Sequence, residues 1–213
     1  MIHRTIHIAK FAESAAETAK EIIRRASPPD SVSVATVHAF RDTMFLYSER
    51  EGDDPEPDGW LSELSPLLER ISLDGKSDRF ARMIDIFHYH VPVEGEPWRC
   101  GDVGAPWIRI ARIYPDKMAS YAFYHWQLQE ERPGDGPKHG LIAAYGNMLY
   151  FYMERPFVKE PTSYAGILNT RNTPDRWHDL MNPHFIPWED APAGQSLFRE
   201  DLELILNHRR LLG

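Results

Sequence analysis

Cysteine is nearly absent from this 213-residue chain, which carries only Cys100. That excludes an internal disulfide framework and any zinc site built from several thiolates. Positive charge is also scarce. Lys and Arg number 24 against 32 Asp and Glu, a formal net charge of −8. An acidic chain is a poor partner for nucleic acid or an anionic membrane, since both select basic surface, so neither is expected. No apolar run approaches the roughly 20 residues that span a bilayer. The opening MIHRTIHIAK lacks the apolar core of a signal peptide. A reducing, cytoplasmic setting is the default expectation. Also missing are a Gly-rich phosphate loop with a following Lys-Ser/Thr, a GxSxG elbow and an HExxH helix.

What is present is an ordinary globular composition, 42% hydrophobic and 26% charged. The length suits one large domain or two halves of about 100 residues. Aromatic residues make up 12%, with six Trp, and there are ten His. Such a composition suits a pocket walled by rings.

The chain reads as two similar halves. Arg4–Phe11 has strand character, and Ser14 with Glu17 has the spacing of a capping box that opens a helix to about Ala26. Pro28-Pro29 ends that helix. Strands follow at Ser33–Phe40 and Met44–Arg50, then an amphipathic helix over Trp60–Ile71 and a strand over Met83–Val91. Strand, helix, strand, strand, helix, strand is the ferredoxin-like order. The second half repeats it. Ile6–Phe11 aligns with Ile108–Ile113 at an offset of 102, and Ala39–Arg50 with Ala144–Arg155 at 105. Gly146-Asn147 supplies hairpin-turn chemistry, and Leu202–Leu206 mirrors Met83–Val91. Two aligned segments in one order at nearly equal offset indicate a duplication. The predicted domains are 1–92 and 107–213, joined by the Pro/Gly-rich linker 93–106. The expected fold class is α+β: two ferredoxin-like βαββαβ repeats packed sheet to sheet as a single-chain α+β barrel, because the bare apolar face of each sheet needs a cover. The bland alternative is two independent domains.

The second half also carries a set of family motifs. Pro115, Tyr121 and His125 are spaced by six and four residues at the start of a helix. Asn147–Glu154 is an Asn-x-Leu-type strand ending in Glu, Arg176-Trp177-His178-Asp179-Leu180-Met181 is an Arg-Trp helix ending in Met, and Phe198–Leu204 closes the set. In this order the motifs resemble the L-rhamnose mutarotase family over about Trp107–Leu206. The resemblance implies a dimeric α+β barrel fold that interconverts the anomers of an aldose without metal or organic cofactor. It implies His125 as the catalytic histidine, Trp177 as a tryptophan packed on the sugar, and Tyr121 as a substrate-side residue. The family's second tryptophan is replaced by His178, its strand tyrosine falls near Gly140, and its Ile-Trp-Pro-Glu becomes Leu128-Gln129-Glu130-Glu131. The first half keeps none of these motifs and reads as a degenerate copy. A single chain with both halves is expected to be a monomer or weak homodimer, with a monosaccharide as its small-molecule partner.

The residue types fit that chemistry. Mutarotation opens a hemiacetal ring and recloses it on the other face, so one group takes the anomeric hydroxyl proton and another protonates the ring oxygen. Histidine does either near neutral pH. His125 lies on the stripe Met118, Tyr121, Ala122, His125, which faces it inward; a plain core histidine fits the same spacing. Trp177 offers a stacking face, or simple core packing. His178 is a second acid/base candidate, and Glu131 and Asp179 are candidate carboxylate partners. Tyr150 and Tyr152 share a strand face whose direction the spacing leaves open. A non-catalytic small-molecule binding barrel is the alternative reading. A lesser one is a metal-dependent enzyme, with His88 and His90 on one strand face and His38 as third ligand.

Overall fold

The computed structural model describes residues 1–52, 57–73, 76–99, 104–162 and 164–210. Cys100 and part of the expected linker lie outside the described residues. In chain order the strands are β1 (Ile2–Lys10), β2 (Val32–Phe40), β3 (Thr43–Glu51), β4 (Ile71–Leu73), β5 (Lys76–Asp78), β6 (Ala81–Arg82), β7 (Ile84–His88), β8 (Ala105–Ile113), β9 (Leu141–Tyr145), β10 (Met148–Arg155), β11 (Phe185–Ile186) and β12 (Glu203–Arg209). The helices are α1 (Ala16–Arg25), α2 (Pro57–Trp60), α3 (Met118–Glu131) and α4 (Trp177–Met181). The class is α+β, with two five-stranded antiparallel sheets and a small β4–β5 ribbon. Among the described residues no helix is long and apolar enough to cross a membrane.

Two compact units form. One comprises Met1–Met83, Pro92–Gly101 and Asp201–Gly213; the other comprises Ile84–Val91 and Asp102–Glu200. They differ from the contiguous halves 1–92 and 107–213 by an exchange of end strands. The first sheet runs β12-β2-β3-β1-β6 and the second β11-β8-β10-β9-β7. β12, from the end of the chain, pairs with β2, and β7, from the end of the first half, pairs with β9. Each exchanged strand hydrogen-bonds an edge that would otherwise present unpaired backbone groups.

The registers of the two sheets correspond. Ile8 opposes Phe45 and Ile110 opposes Tyr150, while Ala39 opposes Met44 and Ala144 opposes Leu149. The sequence offsets of 102 and 105 carry each pair onto its counterpart. A buried intrastrand bond recurs as well. Tyr47 donates its hydroxyl to Glu49, and Tyr152 donates to Glu154. Burial raises the Glu49 pKa, but Arg99, bonded at 2.6 and 2.7 Å, together with Arg4 and Tyr47, outweighs it and holds the carboxyl below its usual value.

Two local expectations fail for physical reasons. Ser14 takes a left-handed conformation (φ 61°), so α1 starts after Ala15 without a side-chain cap and the capping box does not form. The helix over Trp60–Ile71 is cut down to α2 and a 3-10 segment, Ser62–Leu67. Pro66 has no N–H to continue an α-helical ladder there. In the first unit Ala19 and Ile23 of α1, with Leu61 and Leu64, pack on Ala9, Val37, Met44 and Leu46. In the second unit Tyr121 of α3, Met181 of α4 and Phe185 pack on Ala111, Ile113, Ile142 and Phe151.

Candidate functional site

The second unit contains a cavity of about 290 Å³. One wall is the helix-facing side of its sheet, with Arg109 on β8, Ile142 on β9, and Phe151 and Met153 on β10. Alternation selects these odd-numbered positions of β8 and β10. Tyr150 and Tyr152 therefore point to the other face, where both are buried, and neither lines the cavity. The opposite wall is α3, which follows a 3-10 turn begun by Pro115. Tyr121, His125 and Leu128 lie on its inward stripe.

His125, Tyr121, Trp177 and His178 all line this cavity. The His125 Nδ1–H donates to the Tyr121 carbonyl at 2.9 Å. A carbonyl only accepts, so this bond sets the tautomer and leaves the lone pair on Nε2. Among the described residues Nε2 has no hydrogen-bond partner. Burial is the main force on the ring's pKa; it overrides the Tyr121 bond and, with the nearby His184, lowers it to about 4. The imidazole is thus neutral at pH 7. Its ring stands edge-on to Trp177 and Phe87, with centroids at 5.0 and 5.3 Å, and lies tilted against Tyr121 at 4.1 Å.

Tyr121 is fully buried, and among the described residues its hydroxyl has no hydrogen-bond partner. Burial pushes its pKa well up, partly opposed by the positive charge of Arg109. It stays protonated and keeps a donor to offer. Trp177 and His178 begin α4; the tryptophan is half-buried against the core and the histidine is exposed at the cavity rim.

Glu131 and Asp179 do not line the cavity. Asp179 ion-pairs with Arg176 at the surface. Glu131 anchors the segment that leads to α4, accepting from the backbone N–H of Asn172 at 2.9 Å and of Thr173 at 2.7 Å, and from the hydroxyls of Thr170 and Thr173. Burial alone would raise its pKa, but these bonds outweigh that and hold it at about 2. Glu130 likewise holds the Tyr164 hydroxyl and the Ile167 N–H. These two carboxylates therefore position the approach to Trp177.

The paired-histidine clip is not built. β7 ends at His88, so Tyr89 and His90 lie beyond the strand and its alternation. Among the described residues no group of three His, Cys, Asp or Glu is arranged to hold a metal ion.

Three polar lining residues escaped the sequence reading: Arg109, Tyr89 and Asn182. Arg109 left a signal, since it interrupts the apolar series Arg109, Ala111, Ile113 on one strand face. Tyr89 left one only in combination with glycines. A Cβ at Gly136 would stand 2.2 Å from the Tyr89 ring, and one at Gly140 2.9 Å from it. The space cleared at Gly140 is thus bordered by the Tyr89 ring. Tyr89 also stands edge-on to Phe87, with centroids 4.7 Å apart.

No family model and no curated protein matches the chain. A solved structure from Fusobacterium nucleatum, described as "Putative monooxygenase", aligns over 98% of this chain and 94% of its own at 10% identity, with a TM-score of 0.42. So low a likeness carries no argument about function. The cavity's own chemistry is that of a ring-lined chamber with a neutral imidazole acceptor, an unsatisfied phenol donor and a guanidinium.

Proposed function

We propose that the second unit is a small-molecule isomerase of the mutarotase kind, interconverting the anomers of a monosaccharide-sized ring. The observation that carries this reading is His125: a neutral imidazole with its tautomer set by Tyr121 and its Nε2 unoccupied, in a cavity it shares with the unpartnered Tyr121 hydroxyl. The Nε2 takes the proton of the anomeric hydroxyl while the Tyr121 O–H donates to the ring oxygen, and the C–O bond between them breaks. The open-chain aldehyde turns over its other face, and both protons return as the ring recloses. The balance over one cycle is zero. Arg109 favours the transient tyrosinate, consistent with its lowering influence on the Tyr121 pKa. Trp177 supplies an apolar face for sugar C–H groups.

The same proposal includes the finer reading of the fold. We infer that both units descend from one ferredoxin-like βαββαβ repeat, supported by the matching strand orders and registers.

A second reading rests on a specific observation. An imidazole whose pKa is held near 4 is a weak base, which favours a binding protein that keeps the pocket without the chemistry. Saturation-transfer NMR on an aldose panel separates the two. The isomerase requires anomer exchange above the buffer rate that is lost in His125→Ala. Line broadening by the protein with no accelerated exchange for any sugar leaves the binding protein.

A further inference from the structure

Among the described residues Arg109 has no ion-pair partner, and no carboxylate lines its cavity. The chain holds 32 Asp and Glu against 24 Lys and Arg, yet among the described residues no Asp or Glu lines this cavity. Among the described lining residues the one fixed charge is the guanidinium of Arg109. Among the described residues that group makes no hydrogen bond or ion pair, and its Nε is buried without a partner. Three rings hold it instead: the guanidinium carbon lies 4.7 Å from the Trp107 ring centre, 5.2 Å from Phe151 and 4.6 Å from Phe198. Cation–π contacts of this kind fix the position of the group while leaving its N–H donors free. The nearest carboxylate influence comes from Glu200, which accepts from the Trp107 indole N–H at 3.2 Å and is exposed outside the lining.

Removing a charge from water costs free energy unless a partner compensates. Here the described lining residues supply rings but no anion. A guanidinium offers a planar fork of donors that matches a carboxylate in two parallel bonds. We infer that the cavity's ligand is an anionic ring compound, with its carboxylate on Arg109 and its ring against Trp177 and His125. This rests on the cavity being a ligand site as proposed above, and not on its performing isomerisation. A sugar acid and an aromatic acid share this chemistry, the first favoured by the polar groups of Tyr121, Tyr89 and Asn182, the second by the aromatic walls.

The test uses the full-length chain and two matched probe pairs, glucuronate with glucuronamide and benzoate with benzamide. Each pair differs in charge and hardly in shape. Binding is read by calorimetry and by tryptophan fluorescence, which Trp177 reports. In at least one pair the carboxylate is expected to bind about tenfold tighter than the amide, the gain of a charge-assisted over a neutral hydrogen bond. Which pair binds identifies the source. Arg109→Gln removes the preference and Arg109→Lys keeps part of it, with thermal melts confirming folded variants. Equal binding of acid and amide overturns the inference, as does failure of every probe to bind at millimolar concentration, or a preference that survives Arg109→Gln. The wild-type comparison stands even if a variant misfolds. Carboxylate-selective binding without anomer exchange overturns the isomerase reading alone.

Discussion

The Nδ1–H of His125 donates to the carbonyl of Tyr121, one helical turn earlier, at 2.9 Å. The helix thereby uses its own backbone to choose the tautomer of the ring. Such a bond is the usual way a protein commits one imidazole nitrogen and frees the other. Here the committed nitrogen is buried in α3, and the free one belongs to a cavity-lining ring.

A pH profile follows from that arrangement. With its folded pKa lowered from 6.5 to about 4, His125 is neutral across the whole physiological range. If it is the general base, kcat/KM for anomer exchange is flat from pH 8 to about 5 and falls only as pH approaches 4. His125→Ala lowers the rate by about 10²–10⁴-fold, the usual size of such assistance. Initial rates by saturation transfer across pH check both. A profile falling already below pH 7 would rule out a buried, depressed histidine as the base.

Acid lability is a separate consequence. His7, His38 and His125 are all buried, with pKa values lowered to about 3, 4 and 4, by desolvation first and in His7 and His38 also by nearby arginines. In the unfolded chain each titrates near 6.5. Above 6.5 both states leave them neutral, and no stability is lost. As pH falls from 6.5 towards 4 the unfolded chain takes up protons that the folded one refuses, so stability falls. Each unit of difference between the two states corresponds to about 1.4 kcal/mol. Urea midpoints are expected to drop steadily between pH 6.5 and 4, and less steeply in His7→Gln, which should remove one such proton. An unchanged slope in that variant would deny His7 the role.

Tyr121 separates stability from function. A buried hydroxyl without a partner costs about 1–3 kcal/mol of desolvation. Tyr121→Phe keeps the ring packing against His125, Phe185 and His184 and removes the orphan oxygen. The variant is expected to melt at or above the wild-type temperature while losing anomer exchange. A lower melting temperature would show that the hydroxyl is satisfied in solution, and undiminished exchange would remove it from the reaction.

How far the residues announced all this depends on the signal each one carries. The four-residue spacing of Tyr121 and His125 survives any detail of packing, so the inward stripe of α3 was legible. The hairpins β2–β3 and β9–β10 were legible from alternation and turn chemistry. The exchange of β7 and β12 was not, because sequence order says nothing about which edge an end strand reaches; the pairing is decided by long-range hydrogen bonds. The cavity's charge was partly readable. Arg109 interrupts an apolar strand face, but its three ring contacts come from Trp107, Phe151 and Phe198, and the last two are remote in sequence. Trp177 alone of the six tryptophans lines the cavity; Trp188 stacks on Arg112 and Trp126 is exposed. Aromatic composition therefore did not single out the residue.

Tyr89 and its two glycines make the last prediction. The ring lines the cavity, and the Cβ of an alanine at position 136 would fall 2.2 Å from it, far inside contact distance. Gly136 does not need a left-handed backbone, since of this loop's glycines only Gly134 has a positive φ, 72°. The conflict in Gly136→Ala is therefore with the ring and not with the chain. The ring must move, and its position beside Phe87 and Gly140 changes the shape of the cavity. Gly136→Ala is expected to destabilise the protein by about 1–3 kcal/mol, the usual cost of overpacking, and to weaken ligand binding. Shortening the ring in Gly136→Ala/Tyr89→Ala relieves the clash, so the double variant should be more stable than the sum of the two single changes allows. Chemical denaturation of the four proteins measures that coupling. Simple additivity would show that Tyr89 does not occupy the space the glycine leaves open.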